Sequence, residues 1–425
     1  MKEDLLHYLW KYKKYPLNGL QSTCGKSIQV KSSGLHNQLS GPDFFNAQIE
    51  LDGQLWAGNV EIHIKSSDWF AHNHQLDASY DNVILHVVWK DDVSVYRKDG
   101  TQIPTLSLQE YISVALLETY KQLFNTKNYK FINCENEFKQ VDTFIRENWL
   151  DRLFIERLQG KSGVIKELLK FTDNDWEYVL FLMLLKNFGS KINADAFLAI
   201  GKSIRYSIVR KLFGKPLVME SLLMGQAGLL EQEPGLDSYY NRLYREYQYL
   251  KSKYRLVQPL TKPKFFKLRP LNFPTIRLAQ FSKIYATNNS LFQNLIDSQD
   301  VNASDLVDLG TNEYWNTHYT FEKESNSKIK HITDSFVQLI MINTVIPLKF
   351  SYQQYTGQTN NDALFQLMGT FKNEQNSIIE RYRDIGGQIT NAKSSQAYLQ
   401  LYNAYCKTGK CLDCAIGAQL MNIKV

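Results

Sequence analysis

The sequence predicts an α+β domain built on a mixed sheet, followed by an all-helical domain. Residues 44–51 and 54–65 flank a central Asp-Gly pair, apolar and polar side chains alternate over 60–65, and residues 82–89 are a nearly continuous run of apolar β-formers. From Val141 onward the apolar residues recur with the period of a helix. A chain of 425 residues exceeds the usual size of one core. We therefore expect a first domain at 1–130 and a second at 131–425.

The composition is that of a packed globular protein, with 44% apolar and 13% aromatic residues. A formal charge of +6 and a pI near 8.7 favour a polyanionic partner such as DNA or RNA without deciding for one. The first residues carry acids where a signal peptide is basic, and the longest apolar run, Val179 to Leu185, is far too short to span a membrane. We expect a cytoplasmic protein with no membrane contact.

The elements of the first domain follow from local patterns. Asp52-Gly53 is the pair that a two-residue type I′ hairpin prefers, so it joins two antiparallel strands. The continuous apolar run around His86 is typical of a central strand covered on both faces. In order, we predict a helix over 3–14, a strand from Ser27, a hairpin of 44–51 and 54–65, a strand over 82–89, short strands at 93–97 and 101–106, and a helix from a capping box at Ser107 and Glu110 to about Gln122.

The second domain is predicted to contain helices throughout. Trp176 to Phe188 reads as a buried helix that ends at Gly189. A proline-rich connector, Thr261 to Pro274, interrupts the helices and interleaves basic and aromatic residues. Such a mixture can follow a phosphate backbone and stack bases, although a linker pinned to a helical core explains it equally well. The basic residues concerned are Lys262, Lys264, Lys267, Arg269 and Arg277.

Three ionisable groups alternate with apolar residues in the second arm of the hairpin. Glu61, His63 and Lys65 share one face of that strand. Residues two apart on a strand stand about 6.6 Å from each other, so long side chains can converge on one ion. The alternative is a sheet face that carries ordinary polar residues.

Pro42-Asp43, followed 18 residues after the aspartate by Glu61, resembles the core of the restriction-endonuclease-like nucleases. That resemblance implies that Asp43 and Glu61 hold Mg²⁺ or Mn²⁺ and that a lysine supports the nucleophile. Here His63 stands at the lysine position, and Lys65 follows two residues later. We expect Lys65 to take the lysine's role, with His63 or His74 as an additional ligand or general base.

The simplest hairpin register works against this site. A perfect two-residue loop pairs Phe44 with Glu61 and turns Asp43 to the opposite face. The metal hypothesis therefore needs a bulge at Ala57-Gly58, or an Asp43 that precedes regular pairing. Beyond the strand, His72 and His74 could complete a metal site or contact phosphate, whereas His86 reads as a core residue bonded to a neighbour.

The C-terminal cysteines predict a second metal site. Three thiols within nine residues can wrap a zinc ion or an iron-sulfur cluster, which needs a fourth ligand. Cys134 is the candidate for that ligand and Cys24 the second choice; reduced structural cysteines are the alternative. Some restriction-endonuclease-like nucleases hold an iron-sulfur cluster with one upstream and three C-terminal cysteines, and the arrangement here is similar in outline. The three C-terminal residues are Cys406, Cys411 and Cys414.

Long motifs along the chain resemble one bacterial family, the domain of unknown function 2851. This resemblance implies no activity. From the residues we expect metal-dependent phosphodiester hydrolysis of DNA or RNA; the alternative is a non-catalytic nucleic-acid- or protein-binding module that retains a nuclease-like fold. The motifs are Gly41 to Phe44, Gly58 to His63, Ser67 to Trp69 with His72 and His74, Tyr80 to His86, Arg269 to Pro274 and Cys411 to Gly417.

Overall fold

The computed structural model describes residues 2–37, 39–124, 130–232, 237–297, 310–321, 323–358 and 361–422. The chain divides into two compact units. Unit 1 comprises Met1–Leu150, Glu380–Gly387 and Leu399–Val425, and unit 2 comprises Asp151–Ile379 and Gln388–Tyr398. The sequence analysis predicted a single domain boundary near residue 130. In the structure the C-terminal segment groups with unit 1 and not with unit 2.

Unit 1 contains a mixed sheet whose strand order is β1-β2-β4-β5-β6-β7, with β3 paired to β4. Neighbours from β1 to β5 run antiparallel, and β5, β6 and β7 run parallel. An N-terminal mixed sheet followed by helices confirms the predicted class at this level. The strands are β1 Leu20–Gln21, β2 Ser27–Ser32, β3 Leu35–His36, β4 Phe44–Leu51, β5 Gln54–Lys65, β6 Val83–Lys90 and β7 Thr105–Ser107.

The turn between β4 and β5 confirms the predicted hairpin. Asp52 and Gly53 have φ angles of 49° and 82°, and the flanking Leu51 and Gln54 are paired. Positive φ at both central residues is what a type I′ turn requires. The right-handed twist of that turn matches the twist of the strands that it joins.

Two predictions about the end of the sheet are wrong. The proposed strands at 93–97 and 101–106 reduce to one bridge, Tyr96 to Gln102, and to β7. Ser107 lies in β7, and its hydroxyl donates to the Trp89 carbonyl. The helix is capped instead by Ser113, whose side chain accepts from Leu116 N–H.

Helices make up most of the remaining described chain, and a second pair of strands, β8 His318–Thr320 and β9 Lys323–Glu324, lies in unit 2. No helix in the described ranges is both long and apolar enough to cross a membrane. The helices are α1 Glu3–Lys11, α2 Asp68–Ala71, α3 Val114–Leu123, α4 Thr143–Phe171, α5 Trp176–Phe188, α6 Ser190–Lys202, α7 Tyr206–Arg210, α8 Pro216–Gln226, α9 Ser238–Tyr254, α10 Pro274–Thr287, α11 Tyr314–Thr317, α12 Asp334–Ile340, α13 Ile346–Tyr355, α14 Asp362–Thr370, α15 Ser377–Asp384, α16 Ala392–Gln400 and α17 Ala415–Asn422.

Helix α5 lies at the centre of the unit 2 core, with every residue from Val179 to Leu185 buried. Asp175 caps its N-terminus by accepting from Tyr178 N–H. The helix ends at Gly189 as predicted, but the glycine is right-handed, with φ of −67°. A Cβ there would lie 2.4 Å from the Asn193 carbonyl oxygen, so the close approach of α6 is what requires glycine.

Candidate metal centre

The pairing of β4 with β5 slips by one residue near the start of β4. Ala47 faces Gly58, whereas Phe44 faces Val60, so β4 carries one extra residue between these two pairs. Asn46 lies in this bulge with φ of 55°, in the left-handed region that asparagine tolerates better than most residues. A bulge of this kind restores a register that the hairpin loop alone would not produce.

The bulge brings Asp43 beside Glu61. The Asp43 N–H donates to Glu61 Oε2 at 3.0 Å, and the Ile62 N–H donates to Asp43 Oδ2 at 3.0 Å. Of the two alternatives that the sequence analysis left open, a bulge at Ala57-Gly58 is wrong because the extra residue lies on β4, whereas Asp43 does precede the first paired residue, Phe44. The two carboxylates nevertheless lie together, as the metal hypothesis requires.

Gly58 is required for a different reason, namely the close contact between β5 and the start of β6. A Cβ at this position would lie 2.4 Å from Ile84 Cγ2 and 2.8 Å from the Asn82 carbonyl oxygen. The neighbouring Asn59 N–H donates to that same carbonyl at 2.8 Å. Gly58 therefore lets β5 lie directly against the start of β6.

The connection from β5 to β6 places two more histidines at the carboxylates. Because β5 and β6 are parallel neighbours, this connection must cross over one face of the sheet. His72 Nδ1 lies 3.1 Å from His63 Nε2, and His74 Nε2 lies 3.3 Å from Glu61 Oε1. Asn73, between them, is left-handed with φ of 59°, which turns both imidazoles toward the strand.

Three of these histidines lie close enough together that they could hold one metal ion. Each of His63, His72 and His74 offers a ring nitrogen within 4.8 Å of the other two. Among the described residues, no other group of three or more His, Cys, Asp or Glu side chains is so closely spaced. Glu61 Oε1 lies 3.6 Å from His63 Nε2. Ligand atoms that bind a tetrahedral ion at 2.0–2.1 Å stand about 3.4 Å apart. The distances of 3.1, 3.3 and 3.6 Å between the atoms of these side chains are close to that value. Three imidazoles and a carboxylate suit zinc, iron or manganese better than magnesium.

His86 supports the ring of His63 from behind. Its Nε2 lies 2.8 Å from His63 Nδ1, and both rings are almost fully buried. Burial, with the neighbouring imidazoles, lowers the pKa of His63 to about 2 and that of His86 to about 3. Both are therefore neutral near pH 7, and the bond to His86 leaves His63 Nε2 facing His72 and Glu61, as second-layer partners of metal-bound histidines do.

Helix α1 contributes residues that the sequence analysis missed. His7 Nε2 lies 3.2 Å from Asp43 Oδ2. Burial alone would lower the pKa of His7, but the hydrogen bond and charge of Asp43, with Glu3 and Asp4, raise it above its ordinary value. Glu3 and His7 are four residues apart and so share one helix face. This spacing of two ionisable residues was the sequence signal that could have identified them. The ring of His36 lies 5.3 Å from that of His7.

A cavity of about 260 Å³ lies in unit 1 beside His7. Its walls combine basic, aromatic and acidic groups from α1 and from the turn before Cys411. The side chains that matter for a charged ligand are Asp4, His7, Lys11, His36, Lys410 and Asp413. His7 lines this cavity and also contacts Asp43, so it links the cavity wall to one of the two carboxylates.

Lys65 lies apart from the carboxylates. It is exposed at the end of β5, opposite Lys90, and its backbone N–H donates to Asp68 Oδ2 at 2.9 Å. Among the described contacts, none joins its amine to Asp43 or Glu61. The groups that the structure brings together at the carboxylates are imidazoles.

Four of the five cysteines line one small cavity in unit 1. Asn133 Nδ2 donates to Cys411 Sγ at 3.4 Å, and the Tyr382 hydroxyl lies 3.3 Å from Cys406 Sγ. A Cβ at Gly417 would lie 2.0 Å from the Cys411 carbonyl oxygen, so glycine lets α17 start directly beside the turn. Cys24 is exposed and contacts Ser22 instead. The residues brought together are Cys134, Cys406, Cys411 and Cys414.

A family model, described as a protein of unknown function (DUF2851), matches residues 3–377. The chain belongs to this family. No curated protein and no solved structure matches it. The matched range includes the histidines, both carboxylates and Cys134, and it ends before Cys406.

The basic residues of the connector have diverse surroundings. Lys262 pairs with Glu231, and Lys267 lies 5.3 Å from the ring of Phe266. Lys262, Lys264, Lys267 and Arg269 are exposed. Arg277 is only 7% exposed and lies in α10, so it does not extend a basic surface of the connector.

Proposed function

We propose that unit 1 is a metal-dependent phosphodiesterase that cleaves nucleic acid. The observation that carries this proposal is the convergence of Glu61, His63, His72 and His74 next to Asp43. Glu61 and His63 are buried, whereas His72 is exposed, so the cluster reaches solvent on one side. Buried lone pairs with few donors between them are favourable when a cation or protons occupy the space that they share. An ion bound there would supply the positive charge that activates water and stabilises a scissile phosphate.

In this proposal His63, His72, His74 and Glu61 are the ligands. Asp43 is held by the Ile62 N–H and by His7, so its carboxylate is oriented for proton transfer. His7, at the edge of the cavity, is placed to contact a phosphate oxygen. We assign the position of the nuclease lysine to His63 and not to Lys65, because Lys65 is exposed at the strand end.

A nucleic-acid substrate fits the surroundings of the centre. Lys11 and Lys410 line the cavity with Tyr8 and Tyr12, which offers charge for a backbone and rings for bases. The adjacent carboxylates, on paired strands of a mixed sheet, agree with a restriction-endonuclease-like fold, which we include in the proposal. The basic connector residues Lys262, Lys264, Lys267 and Arg269 remain candidates for backbone contacts.

The test is cleavage of single- and double-stranded DNA and RNA by the purified chain with Mn²⁺, Mg²⁺ or Zn²⁺. Asp43→Asn and Glu61→Gln should each abolish cleavage, whereas Lys65→Ala should leave it nearly unchanged. Cleavage that survives both carboxylate substitutions would remove the proposal. Salt-dependent binding without turnover in any metal would favour the non-catalytic binding module instead.

We propose that the four cysteines hold a zinc ion or an iron-sulfur cluster that joins the C-terminal segment to the rest of unit 1. Thiols from two sequence-distant segments line one small cavity, which supports this, although no three of their sulfur atoms lie within 4.8 Å of one another. Metal analysis with an absorption spectrum of anaerobically purified protein separates the two. A colourless, metal-free protein with intact folding contradicts both, and Cys414→Ser should release the metal from the cysteines while the histidine centre still binds its own.

A further inference from the structure

A cavity of about 740 Å³ in unit 2 lies beside the first turn of α10. Its size is within the range of pockets for small organic ligands. One wall is the Arg269 to Asn272 segment, which lies within the range that the family model matches. The opposite wall comes from the residues around α12, including His331, Thr333 and Phe336.

Arg277 is buried at this cavity with incomplete hydrogen bonding. Its Nη1 donates to Gln280 Oε1 at 2.9 Å, and its Nη2 donates to Asn272 Oδ1 at 2.6 Å. The guanidinium carbon lies 3.6 Å from the centroid of the Phe336 ring. Its buried Nε has no hydrogen-bond partner among the described residues. Two of the five N–H groups of a guanidinium are thus accounted for.

The surroundings do not neutralise this charge. Both hydrogen-bond partners are neutral amides, and no Asp or Glu is among the described residues that line the cavity. Burial lowers the pKa of Arg277 to about 10, which still leaves it charged near pH 7. Other polar lining residues, among them Arg269, Ser190 and Ser335, can donate hydrogen bonds. A buried cation without a counter-ion is unfavourable, and an anionic ligand would relieve it.

We propose that this cavity binds the phosphate group of a nucleotide, with Arg277 and Arg269 as its charged contacts. Guanidinium groups match phosphate oxygens with paired N–H donors. The cavity exceeds what a bare anion fills, and Leu271, Tyr319 and Leu339 offer apolar and aromatic surface for a base. The phosphate can belong to a free nucleotide or to the end of a nucleic-acid strand. This site does not depend on catalysis in unit 1.

Calorimetric titration of the full-length chain with AMP, adenosine, inorganic phosphate and a 5′-phosphorylated trinucleotide tests the proposal. AMP should bind, and adenosine should bind at least tenfold more weakly. A trinucleotide that binds tighter than AMP identifies a strand end as the source of the phosphate, and the reverse order identifies a free nucleotide. Equal affinity for AMP and adenosine, or no affinity for any phosphate probe, overturns the proposal.

Variants locate the binding. Arg277→Met should weaken AMP binding at least tenfold, and Arg242→Ala, an exposed arginine on α9, should not change it. Asn272→Asp is the second variant, because an internal carboxylate would neutralise Arg277 and compete with the ligand while the fold is kept. AMP binding that persists in folded Asn272→Asp contradicts the proposal. Glu61→Gln should retain AMP binding, which separates this site from the metal centre.

Discussion

Unit 1 buries a carboxylate with imidazole lone pairs, whereas unit 2 buries a positively charged guanidinium group. In unit 1, Glu61 and His63 are 5% and 2% exposed and present lone pairs to each other and to His74. In unit 2, Arg277 is similarly buried and presents N–H donors to neutral amides and a cavity. Under the two proposals, the first arrangement would favour a cation and the second an anion. The sign of the buried group is therefore what distinguishes the ligands proposed for the two units.

Other buried charges of unit 2 show what a satisfied group looks like. Glu220 accepts from Trp315 Nε1 at 2.7 Å and from the Tyr239 hydroxyl at 2.8 Å. Lys330 donates to the carbonyls of Trp315 and Asn316. These groups are held by dipoles of the protein itself, and they line no cavity that would admit a ligand among those described. Burial alone is thus not the feature that distinguishes a candidate site.

The largest effect is expected from a change in the register of β4 against β5 at Asn46. Inserting one glycine after Asn46 should turn Asp43 to the opposite face and lower metal-dependent cleavage by roughly 10²–10⁴, the usual contribution of a proton-transfer group. Deleting Asn46 should keep the pairing of Asp43 with Glu61, because it removes only the extra residue. Cleavage rates of the two variants provide the measurement, and equal losses in both would contradict the assigned role of the bulge.

A smaller effect is expected from Glu220→Gln in unit 2. Burial raises the pKa of Glu220 from its ordinary value of 4.5 to about 7, so the folded state binds the proton more tightly than the unfolded state. Its contribution to stability is therefore full below pH 4.5 and declines as pH rises toward 7. Above pH 7 the wild type should have lost about 3 kcal/mol that the glutamine variant does not lose.

Denaturant unfolding at pH 5 and pH 8, followed by tryptophan fluorescence, measures this difference. Glu167→Gln is the control because Glu167 is exposed on α4 and pairs only with Lys170. Parallel pH dependence of the wild type and Glu220→Gln would show that Glu220 is not titrating in this range.

The smallest expected effect concerns the support of His63. His86→Gln should reduce metal affinity in unit 1 by about 10–100-fold, since partners that orient a metal-bound histidine typically contribute this much. His36→Gln is a matched control, because His36 contacts His7 and Phe44 and not the ligand set. Isothermal titration with Mn²⁺ or Zn²⁺ would compare them, and identical affinities would remove His86 from the centre.

The sequence predicted features that depend on local patterns. Strands β4, β5 and β6 follow from alternation and apolar continuity, and the shared face of Glu61 and His63 follows from the same period. The approach of Asp43 could not be derived in that way, since it depends on which strand takes up one extra residue. His7, on α1, reaches the centre only through tertiary packing. Arg277 looked like one of a run of exposed basic residues, because composition does not show which of them the fold buries.

The return of residues 399–425 to unit 1 has a consequence for the order of assembly. Cys134 leaves the ribosome long before Cys411, with nearly all of unit 2 made between them. A contact of such long sequence separation forms late, because the loop between its ends must close first. Unit 1 therefore reaches its final composition only after residues 399–422 have been made, and a chain that stops before Cys406 would leave Cys134 without the C-terminal residues that line the cavity with it.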